Sequence, residues 1–266
     1  MTEPTVVVKL GGSVITRKRG PARIRPKVVR RLAAECAVEG PPRVVLHGAG
    51  SFGHPGAVRW GLAVEPGSKS GDRRRRARGA SIVAAEVRDL HAHVLSALID
   101  AGVSPMSVPM MPSAVNDRGE LAEFTERPFE RALGSGLVPV AFGDVVPDTS
   151  WGFSILSADR IAVELVRRLR AARLIFVSDI DGVHAHWPPQ SDDFVRELTA
   201  SVLPSLPARS ANPDVTGGIA GKVRAMLAAA EGGAEAVLIS GLKVGELARA
   251  IRGESVYGSW ARPGPA

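Results

Sequence analysis

Apolar residues in this chain recur in two rhythms, short unbroken runs and positions three to four apart, and the two rhythms take turns. Thr5–Leu10 is a β-branched run that reads as a strand and passes straight into Gly11-Gly12-Ser13. Pro26–Val38 carries Val28, Val29, Leu32, Ala33 and Cys36 at helical spacing, and Arg43–His47 reads as the second strand. The opening is therefore a βαβ unit with a right-handed crossover expected. Gly79–Ala101 reads as a long helix striped by Ile82, Val83, Val87, Leu90, Val94 and Leu98, after a polar and irregular stretch over Glu65–Arg78. Ser104–Met110 and Leu137–Phe142 read as strands, Arg127–Leu133 as a helix. Hairpins are expected over Ser113–Phe124, turning at Asn116-Asp117-Arg118-Gly119, and over Val145–Ile155, turning near Asp148–Gly152. The remainder predicts helices over Asp159–Arg170, Ile219–Glu231 and Gly245–Arg252, with strands at Arg173–Val177, Ala236–Ile239 and Val256–Trp260. Such alternation predicts a mostly parallel sheet covered on both faces. No repeat or composition break divides residues 1–266, so one α/β unit is expected, with halves meeting near residue 150.

Composition narrows the setting. With 45% hydrophobic residues over 266 positions the chain can bury a large core. Cys36 is the only cysteine, which excludes disulfides and cysteine-rich metal sites and fits a reducing cytoplasm, with Cys36 itself a buried filler. No apolar run approaches the roughly 20 residues of a membrane span. The net charge of +7 suits anionic partners. Its densest run, Arg73-Arg74-Arg75-Arg76, reads as a solvated face or loop, because no aromatic residues interleave with it as they would for stacking on single-stranded nucleic acid.

The chemistry concentrates where strands end in glycine. The strand Val44-Val45-Leu46 feeds Gly48-Ala49-Gly50-Ser51-Phe52-Gly53-His54-Pro55-Gly56, and such a turn offers several backbone N–H groups to a phosphate. The same letters spell a dinucleotide fingerprint, but that site needs one glycine loop and an acid near the end of the second strand. Here Glu65 lies in a Pro/Gly segment, and Lys9, Lys18 and Lys222 would go unexplained. Metal-assisted phosphoryl transfer explains more of them, with a dinucleotide-binding oxidoreductase as the remote alternative. Its transition state spreads charge over the moving group, so glycine turns cradle phosphates, lysines neutralise them, and carboxylates place Mg²⁺ or the lysines themselves. His47 is read as structural, His91 and His93 as ordinary helix residues, and no His/Asp/Glu spacing resembles a structural metal site.

Taken together, Lys9-Leu10-Gly11-Gly12-Ser13, the HGAGSFGHPGA loop, GDVVPD (Gly143–Asp148), GFSILSADR (Gly152–Arg160), SDIDGV (Ser178–Val183) and DVTGGIAGKV (Asp214–Val223) resemble the amino acid kinase superfamily. They cover nearly the whole chain in the family's order. The SFGH loop is the narrowest of them and points to the branch whose acceptor is isopentenyl phosphate, with fosfomycin or another small phosphonate as the rival. The resemblance implies an open αβα sandwich with a mostly parallel central sheet, the acceptor in the N-terminal half, ATP in the C-terminal half, Mg²⁺ as cofactor and a homodimer. It implies that Lys9, Gly11, Gly12, Ser13, Gly50, Asp179, Asp181, Gly182, Thr216, Gly217, Gly218 and Lys222 contact ATP. Ala49, Gly50, Gly53, His54, Ala80, Val83, Gly152, Ala158 and Asp159 would serve the acceptor. Lys18 would stabilise the moving phosphoryl group, and Asp159 would orient the lysines; with Lys9, His54 and Lys222 these make the catalytic set. No nucleic acid and no membrane enters the reading.

Two departures from the family pattern carry consequences. Ala49 replaces a usual glycine, so its φ is expected to be negative. Ser157-Ala158-Asp159-Arg160 lacks a glycine and an acid found in relatives, so Arg160 is expected to be exposed or ion-paired. His184 stands where relatives place an aromatic, which leaves adenine stacking and a solvent-facing loop both open. A phosphate monoester loses its second proton near pH 6, so the acceptor is already nucleophilic. The problem is bringing two anions together, which an N–H from His54 and the charges of Lys9 and Lys18 would relieve. Small residues through Gly79–Ala85 either leave room for an acceptor tail longer than five carbons or let the helix pack closely.

Overall fold

The computed structural model describes residues 4–18, 21–67, 70–186, 193–206 and 218–264. Its elements in chain order are β1 (Val6–Leu10), α1 (Gly12–Ile15), α2 (Pro26–Cys36), β2 (Arg43–His47), α3 (His54–Trp60), α4 (Ser70–Asp100), β3 (Pro105–Ser107), β4 (Ala114–Asp117), β5 (Glu120–Phe124) and α5 (Arg127–Gly134). There follow β6 (Val138–Phe142), β7 (Asp144–Asp148), β8 (Gly152–Leu156), α6 (Ala158–Leu169), β9 (Arg173–Ser178), β10 (Val183–His184), β11 (Phe194–Val195), α7 (Gly218–Glu231), β12 (Glu235–Ser240), α8 (Glu246–Arg252) and β13 (Gly258–Ala261).

Seven strands form the central sheet in the order β13-β12-β9-β1-β2-β6-β3, and every pairing is parallel except β12 with the edge strand β13. The period-two alternation of a strand splits its residues between two cores. Val7, Val44, Leu46, Leu174, Phe176 and Leu238 face α6 and α7, meeting Ile161, Leu165, Val223 and Met226. Val6, Val8, Leu10, Val45, Ile175 and Val237 face the other way, onto Leu32 and Cys36 of α2, Leu90 and Val94 of α4, and Leu247 and Ile251 of α8. The expected αβα sandwich is what forms. Cys36 lies in that second core as a small apolar filler. Buried Glu35 of the same helix accepts from the Leu247 N–H at 3.0 Å, so α2 caps the start of α8 across the layer.

A second sheet, β5-β4-β7-β8, rises beside the first. Its two hairpins match the expected turns, and Asp148 joins them. That carboxylate accepts from the N–H groups of Arg118 (3.1 Å), Gly119 (2.8 Å), Ser150 (3.1 Å) and Trp151 (2.7 Å) and from the Ser154 hydroxyl (2.8 Å). Arg160 pairs with Glu120 and donates to the Gly119 carbonyl, as an ion-paired residue should.

The reading of Glu65–Arg78 as irregular is corrected: α4 begins at Ser70, eight residues before that stretch was expected to end. Gly71 interrupts the pattern but tertiary contacts override its low helix propensity. Arg73, Arg74 and Arg75 lie on the solvated face, whereas Arg76 is buried and donates to the carbonyls of Gly61 and Val64, stapling the chain after α3 to α4. The start of α4 packs closely at its glycine: the space above Gly79 is taken by the Trp60 indole, and a Cβ on Gly56 of α3 would lie 2.6 Å from Val83 Cγ2. Ala80 and Val83 are buried with Ala57, Leu62, Val87, Phe142 and Val145 in a satellite core.

Candidate active site

The C-terminal ends of β1, β2 and β9 deliver three turns to one edge of the sheet, where open parallel sheets bind ligands. The turns after β1 and β2 lie back to back. A Cβ on Gly12 would fall 2.6 Å from the Gly50 Cα, and one on Gly48 would fall 2.9 Å from the Gly12 nitrogen. Gly50 sits at φ +52 and a Cβ there would meet the Gly12 carbonyl at 2.7 Å, so glycine is required on both counts. Ala49 has φ −71, which explains why alanine is accommodated at the neighbouring position. Thr16 locks the two turns together: its hydroxyl donates to the Gly12 carbonyl at 2.7 Å and accepts from the Ser51 N–H at 3.1 Å.

Below this double turn lies a cation–anion–cation array. Lys9 on β1 is 95% buried, and its Nζ lies 2.6 Å from Asp159 Oδ1; Lys222 Nζ on α7 lies 3.6 Å from Oδ2. Asp159 reaches this position because Ser157 caps α6, accepting from the Arg160 N–H, and so aims the first turn at β1. Burial pushes the Asp159 carboxyl up, but the Lys9 and then Lys222 charges outweigh it and hold it at about 2. A second array sits at the third turn. Asp179 accepts from the Ser13 hydroxyl at 2.7 Å and pairs with Lys18 Nζ at 2.6 Å. Burial raises Asp179, and the bonds from Lys18 and Ser13 bring it below the ordinary carboxylate range. Each lysine is thus held by a carboxylate at the edge of the glycine turns, which suits a site for two phosphorylated ligands.

His54 was expected within a loop; it is instead the first residue of α3 and partly exposed, because Gly50–Phe52 forms a turn of 3₁₀-helix that tightens the chain into that helix. Gly53 just before it is packed tightly, with a Cβ there lying 3.0 Å from Val87 Cγ2. Ala158 is buried opposite Gly143, where a Cβ would sit 3.1 Å from the Ala158 nitrogen. Gly152, at φ +78, closes the β7–β8 turn at an exposed position. Gly182 leaves room for the Phe194 ring, which lies edge-on to His184. His184 is not the solvent-facing loop residue of one expectation. It is largely buried, hydrogen-bonded to Asp193 at 2.7 Å and to Asp181 at 3.1 Å. Burial lowers its pKa, but those two carboxylates prevail and raise it. Gly218 opens α7, whereas Thr216 and Gly217 lie outside the described residues.

Chain reading missed Thr16, the bidentate pairing of Arg88 with buried Asp144 at 3.0 and 3.2 Å, and a buried histidine pair, His47 with His91. His91 is corrected from an ordinary helix residue to a buried one. These contacts join residues 35 to 56 positions apart, and no local spacing signals them.

The sequence profile of the amino acid kinase family matches residues 4–240. The chain belongs to the amino acid kinase family. Within it, the chain is 36% identical over 264 residues to the isopentenyl phosphate kinase of Methanothermobacter thermautotrophicus, covering 96% of this chain and 97% of that one. It is 32% identical to the isopentenyl phosphate kinase of Thermoplasma acidophilum, over 84% and 85% of the two chains. A crystal structure of isopentenyl phosphate kinase superposes with a TM-score of 0.86 at 31% identity, over 97% of this chain and 99% of that one. The family expected from the motifs is therefore the family found.

Proposed function

We propose that this chain transfers the γ-phosphoryl group of ATP to isopentenyl phosphate, giving isopentenyl diphosphate and ADP. The observation that carries the reading is the back-to-back pair of glycine turns above Lys9, Asp159 and Lys222: two phosphate cradles that share one set of cations. Isopentenyl phosphate kinases stand among both the sequence relatives and the structural neighbours, and the SFGH loop points the same way.

In this reading an acceptor phosphate oxygen attacks the γ-phosphorus, a new P–O bond forms, and the bond to the β-γ bridging oxygen breaks with its electrons leaving on ADP. The Gly11–Ser13 turn, Gly218 and Lys222 hold ATP, with Asp181 and Gly182 on the base side; Thr216 and Gly217, which the family likeness also gives to ATP, lie outside the described residues. Ala49, Gly50, Gly53 and His54 hold the acceptor phosphate, and Lys9 lies between the anions. Lys18 shifts toward the moving group as charge develops there, leaving Asp179 behind. The tail rests on the satellite core beside Ala80 and Val83, with Gly152, Ala158 and Asp159 bounding the acceptor side. Asp159 and Asp179 are both engaged by lysines, and no cluster of three metal-ligating side chains exists among the described residues. Mg²⁺ therefore fits as part of the incoming MgATP, held chiefly by its phosphates, where it supplies charge neutralisation. A homodimer is proposed on the family likeness, to be read by light scattering. No helix among the described residues is long and apolar enough to cross a membrane.

The test is ADP release with isopentenyl phosphate, dimethylallyl phosphate and fosfomycin side by side, with and without Mg²⁺. Isopentenyl phosphate is expected to turn over far faster than fosfomycin, and only with the metal. A turnover ratio favouring fosfomycin overturns the assignment.

A further inference from the structure

His47 ends β2 immediately before the acceptor turn and is fully buried, stacked on Phe142. Its Nδ1 lies 3.2 Å from the Gly48 carbonyl oxygen, and its Nε2 lies 3.0 Å from His91 Nδ1 on α4. His91 Nε2 lies 2.8 Å from the Ser107 hydroxyl on the edge strand β3. The chain of four groups has only one consistent order of protons. A carbonyl can only accept, so His47 Nδ1 carries hydrogen and its Nε2 is a lone pair. His91 Nδ1 must then donate to it, which leaves His91 Nε2 to accept from Ser107. Both rings are neutral in this order and both hold the proton on Nδ1.

The neighbours agree with neutrality. Burial and then the His91 ring bring the His47 pKa down to about 3, with the Lys9 charge adding to it, and burial followed by Arg88 brings His91 down to about 4. An imidazolium at His47 would also place a like charge against the Lys9 ammonium.

From this order we infer that Ser107, His91 and His47 form a fixed proton-ordered wire that orients the Gly48–Ala49 peptide and aims the Ala49 N–H into the acceptor phosphate cradle. In a planar trans peptide the N–H points opposite to the C=O. Holding the Gly48 carbonyl on the His47 side therefore turns the Ala49 N–H outward, away from the histidine. Among the described residues the Ala49 amide donates no hydrogen bond of its own. The three side chains are positioning residues: the Gly48 carbonyl fixes the tautomer of both rings, and the Ser107 hydroxyl, able to donate or accept, completes the order by donating to His91 Nε2. Removing that hydroxyl leaves the His91 Nε2 lone pair without its donor, so the order is held from one end alone. The reversed order, which turns a His47 lone pair toward the Gly48 oxygen, then competes, and the anchor on the peptide weakens.

The inference rests on the acceptor phosphate binding at the Gly48–Gly50 turn, and its test separates the two. In ¹⁵N-labelled wild-type protein, long-range proton–nitrogen correlation spectra are expected to show both His47 and His91 protonated on Nδ1 without any substrate present. A proton on Nε2 of either ring overturns the wire, whatever the acceptor proves to be. Ser107→Ala is then expected to raise KM for isopentenyl phosphate about five-fold, the size of one neutral hydrogen bond, with KM for ATP unchanged and the thermal midpoint lowered by about 2–4 °C. Ser107→Thr, which keeps the hydroxyl, keeps KM for isopentenyl phosphate at its wild-type value. Equal changes in the two KM values, or no change in either, overturn the positioning role. Failure of isopentenyl phosphate to react with wild type overturns the acceptor assignment and leaves the spectra to judge the wire.

Discussion

Asp159→Asn tests the electrostatic centre of the site. The carboxylate is fully buried and ion-paired to two lysines, and its folded pKa is about 2 against 3.8 for an unrestrained aspartate. A depressed carboxylate pKa stabilises the fold above the unfolded value and loses that contribution as pH falls through the folded value. The difference in pKa corresponds to about 2 kcal/mol at neutral pH, of which about 1 kcal/mol is gone by pH 3. The asparagine variant also leaves Lys9 buried without a counter-charge, which costs about 3–5 kcal/mol in comparable pairs. The expected result by urea unfolding is a variant several kcal/mol less stable at pH 7, with the gap to wild type narrowing by about 1 kcal/mol at pH 3. Equal m-values must accompany both curves for the comparison to hold. A gap of the same size at both pH values would refute the reasoning, because Asp159 would then act through shape rather than charge. In activity assays the variant should lose mainly kcat, since both lysines are released from the geometry in which the phosphates meet them.

Three further outcomes follow from the same geometry. His54→Ala should lower kcat/KM for the acceptor by roughly 100-fold, the scale of one well-placed donor, with an unchanged thermal midpoint; retention of near-normal activity returns His54 to a structural role. Lys18→Ala should reduce kcat with little change in either KM, because its charge matters most in the transition state, and steady-state kinetics in both substrates decides it. Gly50→Ala combines a left-handed φ with a close approach to the Gly12 carbonyl, and should destabilise by about 1–2 kcal/mol or more and weaken both substrates together, as calorimetry and initial rates would show.

Much of this protein was legible as pattern. Runs such as Val6–Leu10 and Arg43–His47 are buried on both faces, so their hydrophobicity is continuous and unmistakable, and the glycines at their ends mark where the backbone must turn without side chains. Lys9 and Asp159 were named from the family likeness to short motifs, and the negative φ of Ala49 followed from its having a Cβ. What the chain could not reveal was contact between distant segments. Ser70–Arg78 is helical in a setting where Arg76 finds the Gly61 and Val64 carbonyls and Trp60 lies over Gly79. The helix begun by His54 depends on the 3₁₀ turn that precedes it. His91 looks like any polar helix residue until the sheet brings His47 to one side of it and Ser107 to the other. Local sequence determines which backbone conformations are open and which faces seek burial. The partners of a buried charge or imidazole are chosen when parallel strands far apart in the chain align, and that alignment is a property of the assembled sheet alone.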